Sequence, residues 1–371
     1  MKDIQEIERE FKKFGEKVER LKQLERELKT LNTQGFESAV QSITGKLKKP
    51  QLVDEVAREI EVLRKSIETD GRKRTVLARR EVGMSEKYDI QELIGLGGFA
   101  DVYKATKKDD GRFVAIKRPR LAQSETIETP IFLEEAKLWS QLHHRNIVEV
   151  IEYGPEPIPW IAIEYMEGGS LRSKIGRWFP PIKDREGKEK AELPAHFEEC
   201  ISIAIQLCDA LGWAHNLGFI HRDIKPENIL FDNQNNPKLS DWGLGKRTIE
   251  LAMNSAQTMQ SGIMGTIAYA APEQVKPEHF GQTGWWTDIY QCGAVLYEMA
   301  IGQLPFPGEG IFKMAGNIVE TDLVKPSNIN PELPKKIDVI VAKCMAKDKE
   351  NRYQDIYMMK ADLESIKESL E

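Results

Sequence analysis

The sequence predicts an α+β chain in three parts: an all-α N-terminal segment, a small mainly β lobe with one helix, and a larger helical lobe. Three observations predict it. Up to residue 69 the apolar residues recur at helical spacing, beyond Ser85 they alternate as in strands, and from Leu171 helical spacing returns. The charge balance changes at the same place. Residues 1–85 carry 20 basic and 16 acidic side chains, a net of +4, whereas residues 86–371 carry 33 and 43, a net of −10.

The first helix rests on Ile4, Ile7, Phe11, Phe14, Val18 and Leu21, a single stripe before Leu24, Leu28 and Leu31 shift the phase. Asn32 to Gly35 breaks it. Phe36, Val40, Ile43 and Leu47 form a second pattern, and Pro50 opens a third through Val53, Val56, Ile60, Leu63 and Ile67. An antiparallel bundle and a self-associating coiled coil both satisfy residues 1–69. Either would serve for self-association or for docking a partner. Residues 70–85 form a basic linker, including DGRKRTVLARR, but no aromatic residues are interleaved with its charges. It reads as a solvated connector, and no nucleic acid is expected.

Strand-like alternation covers Tyr88 to Ile94, Ala100 to Thr106, Arg112 to Arg118, Ile147 to Tyr153 and Trp160 to Tyr165, with one helical stretch from Phe132 to Leu142. The small lobe is therefore 86–165. The large lobe, 166–371, has its clearest helical patterns at Cys200 to Leu217, Asp288 to Ile301 and Lys336 to Met345. Trp178 to Leu193, charged and with two prolines, reads as an exposed insertion. A ligand is expected in a cleft between the two lobes.

Composition excludes several classes. At 371 residues, 40% hydrophobic and 30% charged, the chain is ordinary for a globular protein. Its longest apolar runs, such as Ile267 to Ala271 and Val339 to Ala342, are far below the roughly 20 residues that span a bilayer. No apolar core follows the N-terminus, so no secretory signal is expected and the cytoplasm is the expected location. Cys200, Cys208, Cys292 and Cys344 lack CxxC spacing and read as buried free thiols.

Chemistry concentrates in four places. Gly95, Leu96, Gly97 and Gly98 lead from one strand into another at Val102, a turn whose backbone amides can approach phosphate oxygens. Lys117, in Val114-Ala115-Ile116-Lys117, sits within an apolar strand and needs an anionic partner, which Glu135 can supply. His221 to Asn228 reads HRDIKPEN: Asp223 can accept a proton, Lys225 can balance phosphate charge, and Asn228 can offer an amide oxygen to a hard metal ion. Asp241, thirteen residues further, would be a second metal ligand.

In number, order and spacing these motifs resemble the eukaryotic-type serine/threonine protein kinases over about residues 88–366. The resemblance implies the two-lobed protein kinase fold, residues 86–371 forming the catalytic domain, and transfer of the γ-phosphoryl of ATP to Ser/Thr hydroxyls of proteins. It implies ATP with Mg²⁺, or Mn²⁺, as cofactor. It further implies that Gly95, Leu96, Gly97, Gly98, Val102, Ala115, Lys117, Glu164, Met166 and Ser170 contact the nucleotide. Ile163 to Met166 would be the adenine hinge, with Ile163 the gatekeeper. Lys117 would pair with Glu135, Asp223 would be the catalytic base, Lys225 would contact the γ-phosphate, and Asn228 with Asp241 would bind the metal. Glu273, in Ala271-Pro272-Glu273, would pair with Arg352, and Asp288 would brace the catalytic loop. Lys225 and Gly265-Thr266 point to serine or threonine acceptors. Thr248, Ser255, Thr258 and Ser261 lie in the segment 241–273 where autophosphorylation is expected, with Arg222 placed to pair with a phosphate. Two departures stand out: Ala100 occupies the third glycine position, and Trp242 replaces the usual Phe after Asp241.

Overall fold

In a computed structural model, residues 17, 20, 21, 24, 58, 59, 61, 62, 65, 66, 84–96, 100–119, 125–155, 159–179, 196–242 and 265–370 are described. The chain divides into two compact units. Met1–Thr129 with Pro155–Trp160 form one, and Pro130–Gly154 with Ile161–Glu371 form the other.

The first unit is built on strands β1 (Tyr88–Leu96), β2 (Ala100–Lys107) and β3 (Phe113–Pro119). Alternation creates them: Tyr88 and Ile90 are buried while Asp89 is exposed, and Tyr103 and Ala105 are buried on β2. β1 and β2 pair antiparallel from Tyr88↔Lys107 to Leu96↔Asp101, and β2 pairs antiparallel with β3 from Ala100↔Pro119 to Thr106↔Phe113. With β4 (Val150–Gly154) and β5 (Trp160–Glu164) the sheet order is β1-β2-β3-β5-β4. In the N-terminal region, the described residues of the first and third helical patterns are helical and meet within one chain. Lys17 Nζ donates to Ser66 Oγ at 2.9 Å, and Arg20 Nε lies 3.0 Å from Glu59 Oε1. Because the higher-numbered residue meets the lower-numbered one, the two segments run antiparallel. The second helical pattern and residues 70–83 lie outside the described residues.

The second unit is mainly helical: α1 (Glu125–Trp139) enters it, followed by α2 (Leu171–Trp178), α3 (Phe197–Asn216), α4 (Trp285–Ile301), α5 (Ile311–Glu320), α6 (Lys335–Cys344) and α7 (Ile356–Lys367). A small sheet of β6 (Gly169–Ser170), β7 (Ile229–Phe231) and β8 (Pro237–Leu239) completes it. α1 starts seven residues before the predicted Phe132, where the apolar spacing is irregular. Ile147, predicted as the start of a strand, makes instead an isolated parallel bridge to Leu239, since Leu239 O takes the Val148 amide at 2.9 Å. No helix among the described residues is long and apolar enough to cross a membrane.

α4 is the axis of this unit. Thr287 through Ile301 are all buried, so the helix is enclosed on every face, and Gly293 allows close approach: a Cβ there would lie 2.4 Å from Cys344 Cβ on α6. Gly302 ends it at φ 70°, a left-handed cap that favours glycine. The four cysteines are buried and free, and burial pushes each thiol up, so they pack as small apolar groups.

Two buried charges tie this framework together. Asp288, near the start of α4, accepts the His221 amide at 2.9 Å and the Arg222 amide at 2.7 Å, and bonds His215 Nε2 at 2.8 Å. Arg352 places its guanidinium on Glu273 through two 2.8 Å bonds, the pair being wholly buried as the sequence led us to expect. Its remaining N–H groups reach the carbonyls of Ala346 at 2.9 Å, Trp286 at 3.1 Å and Lys347 at 3.2 Å, so all five donors are satisfied.

Removing one member of a buried ion pair strands the other. Arg352→Met is expected to cost about 3–5 kcal/mol in chemical denaturation, and Glu273→Leu added to it to recover much of that loss. For Asp288, burial alone would raise the carboxyl, but the His215 hydrogen bond and charge, the nearby His221 and the Arg222 amide outweigh it and hold the carboxyl below its ordinary value. A carboxyl more acidic folded than unfolded adds stability above its ordinary value of about 3.9, and that share is lost as pH falls through the lower folded value. Asp288→Asn is expected to cost about 2–3 kcal/mol at pH 7, with the gap to the parent protein closing below pH ~4. Urea titrations at pH 7 and pH 3 check this; an unchanged gap would contradict it.

Candidate active site

The loop from His221 to Asn228 is held by backbone bonds that leave its polar side chains available. Pro226 opens a 3₁₀ turn, Pro226–Asn228, that stops any continuing helix. Beyond Asp288, α4 contributes Gln291 one turn later: its Oε1 accepts the Ile224 amide at 2.9 Å and its Nε2 donates to Arg222 O at 3.1 Å. Gln274 Nε2 donates to the same carbonyl at 2.9 Å. Arg222 is thereby held at φ 66°, in the left-handed region, which a residue with a side chain seldom occupies without such support. Sequence reasoning missed Gln274 and Gln291, since an amide side chain in a buried helical pattern carries no signal of its partner.

His221 is fully buried. Its Nε2 bonds Ser240 O at 2.9 Å and its Nδ1 accepts the Asp223 amide at 3.3 Å, an arrangement that assigns the ring proton to Nε2. Trp242 packs on this imidazole with ring centroids 4.7 Å apart and is 3% exposed, filling apolar space as expected. Its Nε1 is buried and has no hydrogen-bond partner among the described residues.

Asp223, Lys225 and Asn228 meet directly. Asp223 Oδ2 accepts Lys225 Nζ at 2.8 Å and Asn228 Nδ2 at 3.1 Å, and Asn228 Nδ2 also donates to Asp223 O at 2.8 Å. Asp223 Oδ1 and Asn228 Oδ1 accept nothing among the described residues. The first is open to a hydroxyl proton, the second to a hard cation. Lys225 Nζ also donates to Thr266 Oγ1 at 2.8 Å. Burial opposes the Lys225 charge, but Asp223 beside it, with Glu227 and Asp241 nearby, raises the ammonium above its ordinary value. It is therefore cationic at neutral pH. Asp241, half-exposed at φ 65°, follows Ser240, whose amide and hydroxyl both donate to Asn228 O at 2.9 and 3.1 Å.

In the first unit, Val102 and Lys117 are directly opposed across β2 and β3, and Ala115 lies two residues from Lys117. Val102, Ala115 and Lys117 consequently share one face of the sheet. Gly95 opposes Val102 on the other side, and a Cβ at Gly95 would come 3.3 Å from Val102 Cβ. Lys117 and Ala115 are each 6% exposed. Gly97, Gly98 and the side chain of Leu96 lie outside the described residues.

The remaining predicted residues fall in the second unit. Glu135 is half-buried on α1. Glu164 ends β5, and its carboxylate is taken up by Lys238 Nζ at 2.7 and 2.8 Å and by the Glu149 amide at 2.8 Å. Met166 is buried, and Ser170 caps α2 by accepting the Ser173 amide at 3.4 Å. Thr248, Ser255, Thr258, Ser261 and residues 180–195 lie outside the described residues.

The family pattern described as a protein kinase domain matches residues 88–362. A probable serine/threonine-protein kinase of Clostridium perfringens is 35% identical over 288 residues, covering 76% of this chain and 39% of that protein. The serine/threonine-protein kinase PknB of Mycolicibacterium smegmatis is 32% identical over 292 residues, 77% of this chain and 44% of the relative. PknB of Mycobacterium tuberculosis is 32% identical over 287 residues, 76% and 43% respectively. The chain thus spans about two fifths of the length of these curated relatives. With the matched span enclosing every element that carries the loop and its braces, the chain belongs to the protein kinase family.

Proposed function

We propose that the chain is a serine/threonine protein kinase that moves the γ-phosphoryl group of ATP to hydroxyls of protein substrates. The observation that carries this is the Asp223 carboxylate. One oxygen is occupied by Lys225 and Asn228 while the other accepts nothing among the described residues, and Lys225 reaches on to Thr266. Such a carboxylate orients an acceptor hydroxyl and takes its proton late in the transfer. Lys225, held cationic, offsets charge on the transferring group. Gly95, Leu96, Gly97, Gly98, Val102 and Ala115 would cover the nucleotide, with Lys117 on its phosphates and Glu135 as the lysine's partner. Glu164, Met166 and Ser170 would line the adenine and ribose end. Asn228 Oδ1 and the Asp241 carboxylate, both oxygen donors, suit Mg²⁺ or Mn²⁺. When bound, the ion neutralises phosphate charge.

The catalytic domain in this reading is 86–371, with a small lobe 86–165 and a large lobe 166–371. Autophosphorylation within 241–273 belongs to the same reading: Arg222 Nε is buried and has no hydrogen-bond partner among the described residues, a donor suited to a phosphate. Residues 1–69, joined through the linker 70–85, would serve as a docking or self-association module of a cytoplasmic enzyme.

Asp223→Ala is expected to lower phosphoryl transfer to a generic substrate such as myelin basic protein by about 10³-fold or more, with the melting temperature little changed. The same variant should lose the phosphate that mass spectrometry finds on segment 241–273 of the parent protein. Undiminished incorporation from labelled ATP would sink the assignment. Light scattering of the full chain and of a chain lacking residues 1–69 reads the module: a dimer that becomes a monomer supports self-association, and two monomers leave partner docking.

A further inference from the structure

Arg172, the second residue of α2, gathers four elements of the second unit around one guanidinium. Its Nε lies 2.7 Å from Glu227 Oε1, in the loop beside Lys225 and Asn228. Nη1 lies 2.6 Å from Glu298 Oε1 on α4, and Nη2 donates to Glu298 Oε2 at 3.3 Å and to the Tyr269 hydroxyl. Tyr269 in turn donates to Glu298 Oε2. The two ends differ in exposure. Glu298 is 6% exposed and Tyr269 is 1% exposed, while Glu227 is 43% exposed and Arg172 37%.

A buried carboxylate such as Glu298 demands a cation, and Arg172 is the one cation on it among the described residues. Glu227 Oε2 accepts nothing among the described residues, so the outer carboxylate retains an open lone pair toward solvent. This cluster adjoins the acceptor position twice. Glu227 lies four residues from Asp223 in a tight turn, and Tyr269 lies three residues from Thr266, which Lys225 links to Asp223. A polypeptide that brings its hydroxyl to Asp223 Oδ1 must run its neighbouring side chains past Glu227, within a reach of about two or three residues.

We propose that Arg172 is a specificity-determining residue: it fills the Glu227–Glu298 carboxylate pair from within, so that this surface gives no preference to cationic side chains in the acceptor. The inference rests on the kinase reading above. With Arg172 in place Glu298 and one oxygen of Glu227 are taken, and the exposed Glu227 Oε2 can give a second guanidinium only a single, solvent-screened contact, whereas without Arg172 a substrate arginine would meet a pre-arranged, partly desolvated pair of acceptors.

The test uses the full chain and pairs of acceptor peptides that differ only by Arg or Ala at one position flanking the serine, scanned over several positions. For the parent protein the KM values of each pair are expected to agree within about twofold. In Arg172→Ala the best-placed arginine peptide should have a KM about fivefold or more below that of its alanine partner, with the ratio of kcat values unchanged. Adding Glu227→Gln should erase that gain. Arg172→Met, which keeps the bulk of the side chain without its charge, stands in if the alanine variant does not fold. An Arg-to-Ala ratio that is the same before and after the substitution overturns the proposal. So does an equal fall in kcat for both peptides, which marks Arg172 as merely structural. If the parent protein phosphorylates neither peptide of any pair, the kinase reading has failed instead.

Discussion

One buried carboxylate, Asp288, holds the loop in the shape on which the rest of the site depends. Taking a charge out of water is costly, and it is tolerated here because two backbone amides and one imidazole converge on it. Those amides belong to adjacent residues, and the left-handed conformation of Arg222 turns the chain immediately after them toward Asp223. Gln291, on the same face of α4 one turn later, repeats the device at Ile224. The helix thus sets the loop's path at two successive points, and the side chains of Asp223, Lys225 and Asn228 are spared from structural work and directed at one another.

The Arg352–Glu273 pair applies the same logic with another outcome. Every donor of the guanidinium is satisfied and Thr287 Oγ1 donates to Glu273 Oε1 at 2.8 Å, so the pair is saturated and has no capacity for chemistry. A buried ion pair of this kind contributes position more than stability, because desolvation offsets most of the attraction. What it positions is the short helix Pro272–Val275, whose Gln274 reaches the carbonyl of Arg222. Asp288 on the N–H and Gln274 on the C=O therefore converge on one residue, Arg222. The site is rigid because its braces are charged, buried and fully partnered.

Trp242 is the exception to that economy. Its indole packs against His221, yet leaves a buried N–H without an acceptor among the described residues. An unsatisfied donor of this kind costs about 1–3 kcal/mol. The residue sits immediately after Asp241, where any shift of the ring moves a carboxylate.

Much of this was already written in the chain itself. Alternation and 3-4 spacing are local properties, so β1, β2, β3, α3, α4 and α6 could be read within a few residues, and the polar string around Asp223 announced its chemistry by composition alone. Ile147 was misread as a strand because its single bridge to Leu239 depends on a chain segment some ninety residues away. The bonds of the Glu164 side chain to Lys238 and of the Ser170 side chain at the start of α2 became visible only once those neighbours were placed. The same holds for Gln274, Gln291 and the Arg172 cluster, whose partners are brought together by packing around α4. Residue identity determined which groups could carry the reaction. The tertiary structure decided which oxygen of Asp223 stays open, because a hydrogen bond is made by geometry, and geometry at this range belongs to the folded chain.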